Sequence, residues 1–198
     1  MHGAPHSDCP PLILASASPR RLDLLAQIGV VPNHVIPADI NEDPIAGELP
    51  KPHALRLSQE KAHKLSVNNS GSIILAADTV VGVGRRILPK TETETEARDC
   101  LRLLSGRGHR VYTSVCIIDG EGVMRARVSE TRLKMKRLTQ SEIDSYIASD
   151  EWRGKAGGYG IQGRAGAFIS HIIGSYTGVV GLPVFETRNL LLASGYTL

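Results

Sequence analysis

Aromatic side chains are scarce, at 4% of the 198 residues, with a single tryptophan and two phenylalanines. Any core must therefore be built from Leu, Ile, Val and Ala. No apolar run approaches the ~20 residues that a membrane-spanning helix requires. Cysteine is nearly absent as well, and Cys9, Cys100 and Cys116 form no Cys-x-x-Cys pair. An odd, scattered set argues against a disulfide framework and a structural zinc site, and it fits a reducing, cytoplasmic setting. The net charge of +3 falls well short of the basic excess of a duplex-binding module, although it suits a small anionic ligand. Residues 1–10 lack the basic start and long apolar stretch of a secretory signal. His2, His6 and Cys9 fall in this segment, which reads better as a disordered terminus than as a metal site. Residues 11–198 then form one domain, since no linker, repeat or low-complexity run divides them.

What is present is an alternation of strands and helices. Residues 11–15 (PLILA) read as a buried strand. Ser18 followed by Pro19 opens a helix, since Ser is a preferred N-cap and Pro suits the first helical position. Leu22, Leu24, Leu25 and Ile28 form its apolar side, and Gly29 ends it. After a polar, proline-containing stretch over 37–52, Ala54, Ser58, Ala62 and Leu65 mark the narrow face of a second helix. Residues 72–81 (SIILAADTVV) give the strongest strand signal and are apolar enough to be buried on both faces. Two capping boxes, Thr93 with Glu96 and Thr139 with Glu142, open further helices. Between them, 111–119 and 123–138 read as strands joined by the turn Asp119-Gly120-Glu121-Gly122. The glycine-dense segment 154–181 holds one strand, 167–173, and a last helix runs from Leu182-Pro183 through Leu192. The pattern predicts an α/β protein, and the hairpin makes its sheet mixed.

The turn Ser16-Ala17-Ser18-Pro19-Arg20-Arg21 carries the first functional signal. A helix N-terminus attracts anions, so cations in its first turn cost about 0.3–1 kcal/mol each. A bound polyphosphate removes that conflict, because the dipole and both guanidiniums then face the same negative charge. The alternative is that one or both arginines point into solvent. Standard nucleotide motifs are missing: Lys90-Thr91, which resembles the end of a Walker A loop, follows Pro89. Residues 158–163 (GYGIQG) satisfy G-x-G-x-x-G in form, but neither the apolar strand before it nor the helix after it is present.

Asp78 lies inside the apolar 72–81 strand. A buried carboxylate needs a partner, a metal or a proton, and the small neighbours Ala76 and Ala77 leave room for a ligand. Satisfaction by backbone amides is the alternative. Glu42, in Asp39-Ile40-Asn41-Glu42, carries no signal alone. As a second carboxylate it suits Mg2+, which takes one or two carboxylates together with waters and substrate phosphate oxygens.

In sequence order, SASPRR (16–21), DINE (39–42), EKA (60–62) and ADTVV (77–81) are followed by Leu104-Ser105-Gly106 with His109 and Val111-Tyr112-Thr113. KAGGYGIQG (155–163) and GVVGLP (178–183) complete the series. Together these stretches, spanning residues 12–192, resemble the Maf family of nucleotide pyrophosphatases. The resemblance implies an elongated mixed sheet flanked by helices, Maf/ITPase-like, with a cleft between two lobes, assembled as a homodimer. It implies hydrolysis of nucleoside triphosphates to monophosphate and pyrophosphate with a divalent cation, Mg2+ in preference to Mn2+. Asp78 is then the catalytic base and a metal-associated carboxylate, and Glu42 helps hold the metal. Arg20, Lys61 and Lys90 contact phosphates, with Ser16 and Ser18 near them. Lys155 and Gln162 match the subgroup acting on dTTP and UTP. Three departures stand out. Pro89-Lys90-Thr91 replaces the usual Gly-Lys-Pro, Asn41 an often acidic residue, and Gly158 a frequent Ala, the last expected to matter little.

Gln162 offers both a donor and an acceptor, the complement of a uracil or thymine edge, and a site that hydrogen-bonds an edge rejects the wrong pattern. Its alternative role is to satisfy backbone in the glycine-rich loop. Two other readings compete. One is a pyrophosphatase for 7-methyl-GTP or another modified nucleotide. The other is a nucleic-acid-binding or cell-division regulatory protein resting on Arg125, Arg127, Arg132, Lys134, Lys136 and Arg137. Alternating charges of that kind more often form a solvated strand face, and aromatic platforms for stacking bases are lacking. His109, Tyr112 and Thr113 suit either substrate contact or structural hydrogen bonds, and Trp152 either covers the cleft or closes a helix end.

Overall fold

Leu12–Ala15 form β1 in a computed structural model that describes residues 10–198. His2, His6 and Cys9, read above as part of a disordered terminus rather than a metal site, lie outside the described residues, as does nearly all of that segment. β1 is followed by α1 (Pro19–Gln27), β2 (His34–Val35), α2 (Pro50–Ser66) and β3 (Ile73–Val83). β2 and β3 flank β1 and run parallel to it, which is why helical crossovers separate them in the chain. Antiparallel strands extend the sheet. β4 (Arg86–Leu88) folds back on β3, and β6 (Gly108–Ile118), β7 (Met124–Met135) and β9 (Ile169–Ile173) follow. The order is β2-β1-β3-β6-β7-β9, a mixed sheet as predicted. Two short strands, β5 (Lys90–Thr91) and β8 (Lys155–Ala156), pair separately.

Alternation along the strands decides what each side chain faces. On β3, Ile73, Leu75 and Ala77 pack with Leu24 and Leu25 of α1 and with Leu190 and Leu191 of α6 (Val184–Ala193). Ile74 and Ala76 face the other way, in a cluster with Ala62 of α2. Successive side chains change face, so Asp78 falls on the α2 side. Farther along, Val81 of β3 and Val111 of β6 enter another core with α3 (Glu94–Leu104), α4 (Gln140–Ala148) and Trp152. Burial on both faces explains the nearly continuous apolar run of 72–81.

Both capping boxes form as expected. Two expectations need correction. Ser18 precedes α1, but its side chain makes no capping hydrogen bond, and Pro19, with its fixed φ, starts the helix. The strand expected over 167–173 begins at Ile169, because Arg164–Phe168 form a 3-10 turn. A short helix, α5 (Tyr176–Val180), follows, with the Ser175 side chain accepting from the Gly178 amide. The basic stripe along and just beyond β7 is a solvated face. Arg125, Arg132 and Lys136 pair there with Asp119, Glu130 and Glu142. Trp152 closes a helix end, its Nε1 donating to the Ile147 carbonyl at 3.0 Å. Among the described residues no helix is long and apolar enough to cross a membrane.

Candidate active site

β1 ends at Ala15, opposite Ala76 of β3, and Asp78 lies two positions farther on. The turn leaving β1 and the Asp78 carboxylate therefore come together beyond the carboxyl end of a parallel strand, where open α/β sheets bind ligands. A cavity of about 510 Å³ opens there. It is lined by Ser16, Ser18, Arg20, Glu42, Lys61, Asp78, Lys90, Lys155 and Gln162, the residues to which the family resemblance gives a part in catalysis, substrate or metal binding.

One end of the cavity is built on Lys61. This buried side chain of α2 donates from Nζ to Asp78 Oδ1 at 2.6 Å and pairs with Glu42 Oε1 at 2.5 Å. The second oxygen of Glu42 pairs with Lys90. Glu42 is delivered by a loop tethered to α2. Arg56 binds Glu48 through Nε at 2.8 Å and donates from Nη2 to the Asp43 carbonyl at 3.0 Å. Asn41 Oδ1 accepts the Asp43 amide at 2.9 Å, so this departure from the family pattern shapes the turn. Burial opposes the ionisation of Glu42, but hydrogen bonds from Lys61 and Lys90 outweigh it and bring the carboxyl down to about 2. Lys90 reaches Glu42 in spite of its altered neighbours. It pairs with Ala156 across the β5–β8 ladder, while the Pro89 carbonyl accepts the Gly157 amide at 2.9 Å.

The other end is cationic and unpaired. Among the described residues, Arg20, Arg21 and Lys155 form no ion pair. Arg21 departs from the expectation that both arginines face an anion. Its Nε donates to the Gly181 carbonyl and its Nη1 to Ser16 Oγ, each at 2.9 Å. Arg21 thus ties α1 to the segment after α5, and Arg20 is the freer of the two. Burial lowers the pKa of Arg20, and burial together with the Arg20 charge lowers that of Lys155. Partly desolvated cations at a helix N-terminus with no acidic residue in its first turn form a site for an anion. The Gln162 carboxamide makes no hydrogen bond within the described protein, so the backbone-satisfying alternative does not hold. Gly158 matters more than expected. It sits at φ +70, and an added Cβ would lie 3.2 Å from Ala97 Cα, a place where alanine is strained.

His109, Tyr112 and Thr113 stay off the cavity lining. His109 Nε2 lies 2.7 Å from the Tyr159 hydroxyl, and Thr113 Oγ1 donates to the Gly178 carbonyl at 2.7 Å. Thr79, Glu92 and Tyr159 line the cavity and were not singled out. Thr79 and Tyr159 sit inside the ADTVV and KAGGYGIQG stretches, whereas nothing in the sequence marks Glu92. The donor set has the chemistry of a hard cation. Glu42 and Asp78 converge on one point, and among the described residues no group of three or more His, Cys, Asp or Glu gathers. Two carboxylates in a cavity also lined by cations fit Mg2+, which completes its shell with waters and phosphate oxygens.

The family model described as Maf-like protein matches residues 11–194. The chain belongs to the Maf family. The dTTP/UTP pyrophosphatase of Maricaulis maris is 64% identical over 187 residues, covering 94% of this chain and 89% of the relative. The dTTP/UTP pyrophosphatase of Caulobacter vibrioides is 58% identical over 187 residues, covering 94% and 97%. A solved HAM1 protein from Coxiella burnetii shares the fold, with a TM-score of 0.50 and 15% identity over 93% of this chain and 98% of that one. The Maf stretches SASPRR, DINE, EKA, ADTVV, KAGGYGIQG and GVVGLP, scattered along the chain, each contribute at least one residue to the cavity wall.

Proposed function

We propose that this Maf protein hydrolyses nucleoside triphosphates, dTTP and UTP foremost, to the monophosphate and pyrophosphate. The observation that carries the reading is a single cavity with unpaired cations at a helix N-terminus on one side and the Glu42–Lys61–Asp78 cluster on the other. The names of the relatives support dTTP and UTP over 7-methyl-GTP, and the unengaged Gln162 carboxamide complements the uracil or thymine edge.

Arg20 and Lys155 bind phosphate oxygens, and Ser18 lies beside them at the head of α1. Lys61 and Lys90 take up charge developing on the oxygens of the breaking α–β anhydride. Asp78 accepts the proton of the attacking water. Glu42 and Asp78 would hold a divalent cation, Mg2+ before Mn2+, which would supply charge neutralisation on the phosphates. The homodimer rests on the family resemblance, and the cytoplasmic setting on the few, scattered cysteines.

Asp78→Asn keeps the shape of the side chain and removes the proton acceptor. Pyrophosphate release from dTTP and UTP is expected to fall by at least ~100-fold, with an unchanged circular dichroism spectrum. Near-normal turnover in this variant overturns the role of Asp78. Faster hydrolysis of 7-methyl-GTP than of dTTP and UTP by the parent protein overturns the substrate assignment.

A further inference from the structure

We infer that Lys61 is a built-in counter-cation. Its ammonium stands between Glu42 and Asp78, in the place a divalent cation takes once a triphosphate draws the lysine away, so that cation and nucleotide enter as a coupled pair. This rests on the pyrophosphatase reading and adds to it an order of events and a second role for Lys61.

Two carboxylates from distant parts of the chain converge on the same Nζ, at 2.6 Å and 2.5 Å. The side chains of Lys61 and Asp78 are 7% and 3% exposed, so the pair is desolvated and its charges interact strongly. Lys90 takes the remaining oxygen of Glu42. Two negative charges therefore meet two positive ones, and the cluster is neutral. Arg21 stands close enough to feel both Asp78 and Glu42. A bare dication approaching this point finds no uncompensated negative charge, and it must share the space with a buried ammonium.

A triphosphate reverses the balance. Its oxygens bring negative charge to the mouth of the cavity, beside Arg20 and Lys155. A lysine on a flexible four-carbon stem follows that charge readily, and the carboxylates it leaves are then free to hold a cation. By linkage, nucleotide and cation tighten each other by the same factor, typically 5–150-fold. A lysine serving only as a structural ion pair gives no such coupling.

The test is Mn2+ binding to the protein without nucleotide, read from the electron paramagnetic resonance signal of free Mn2+. Lys61→Gln is expected to bind Mn2+ at least tenfold tighter than the parent, and adding Glu42→Gln to it is expected to erase the gain. Lys90→Gln, at a half-exposed lysine, gives a smaller gain in the same direction and decides the question if Lys61→Gln does not fold. Equal Mn2+ affinity of parent and Lys61→Gln overturns the inference, as does equal affinity of parent and Lys90→Gln where Lys61→Gln is unfolded. Turnover of dTTP by the parent is measured alongside. Turnover with unchanged Mn2+ affinities removes the counter-cation role and leaves the pyrophosphatase reading. Absence of turnover removes that reading, and the Mn2+ comparison still decides what Lys61 does.

Discussion

His109 has a partner on only one ring nitrogen. Nε2 meets the Tyr159 hydroxyl, while the buried Nδ1 has no partner among the described residues. Burial brings its pKa from 6.5 down to about 4, so the folded protein holds this ring neutral. The unfolded chain protonates near 6.5 and the folded one only near 4, so the unfolded state binds more protons in between. Stability that is complete above pH 6.5 is therefore lost as the pH falls toward 4, by an amount on the order of 3 kcal/mol. His109→Gln removes the titration. Urea unfolding at pH 7.5 and at pH 4.5 is expected to show a larger loss in the parent than in the variant, and equal losses reject this account. Glu42 does not set the limit. Its carboxyl, at about 2, keeps its charge throughout the window in which His109 titrates.

Two serine and threonine positions that look alike in sequence separate at the level of the helix. Thr139 makes both bonds of its capping box at α4, and Thr139→Ala should cost about 1 kcal/mol in urea unfolding. Ser18 makes no such bond at α1 but lines the cavity. Ser18→Ala should leave stability within about 0.5 kcal/mol of the parent while raising KM for dTTP. A stability loss equal to that of Thr139→Ala shows instead that Ser18 caps the helix. The same contrast explains what the sequence made legible. Apolar period, capping boxes and the Asp119–Gly122 turn mark the long strands and most helices, because each is a local signal. α5 and the 3-10 turn were hidden in glycine-dense sequence that shows no period, and the two-residue strands β5 and β8 are too short to have one. Motif order identified the cavity residues one by one, but their meeting was not legible. Glu42 reaches Asp78 only through Lys61 and the Arg56 tether, and Arg21 finds its acceptor at Gly181, 160 positions away.

At the scale of the whole molecule, β3 and β6 are the shared spine. Their ladder runs without a break from Ile74↔Ile118 to Gly82↔Arg110. Leu75 lies in the core with α1 and α6, and Val81 in the core with α3, α4 and Trp152. Asp78 sits between them on the same strand. Neither core can open alone without exposing backbone and apolar side chains of strands the other still needs, so the two should unfold together. Leu75→Ala leaves a cavity in a fully buried site and should cost about 2–5 kcal/mol. Trp152, the sole tryptophan of the chain, reports on the other core. Its fluorescence midpoint in urea is expected to move with the midpoint from circular dichroism, by the same amount, although the substitution lies in the other core. A Trp152 transition left at its parent position would show two separately folding units and would place Asp78 at a hinge. A coincident shift means that Asp78 is held by a strand that opens only when the whole molecule unfolds.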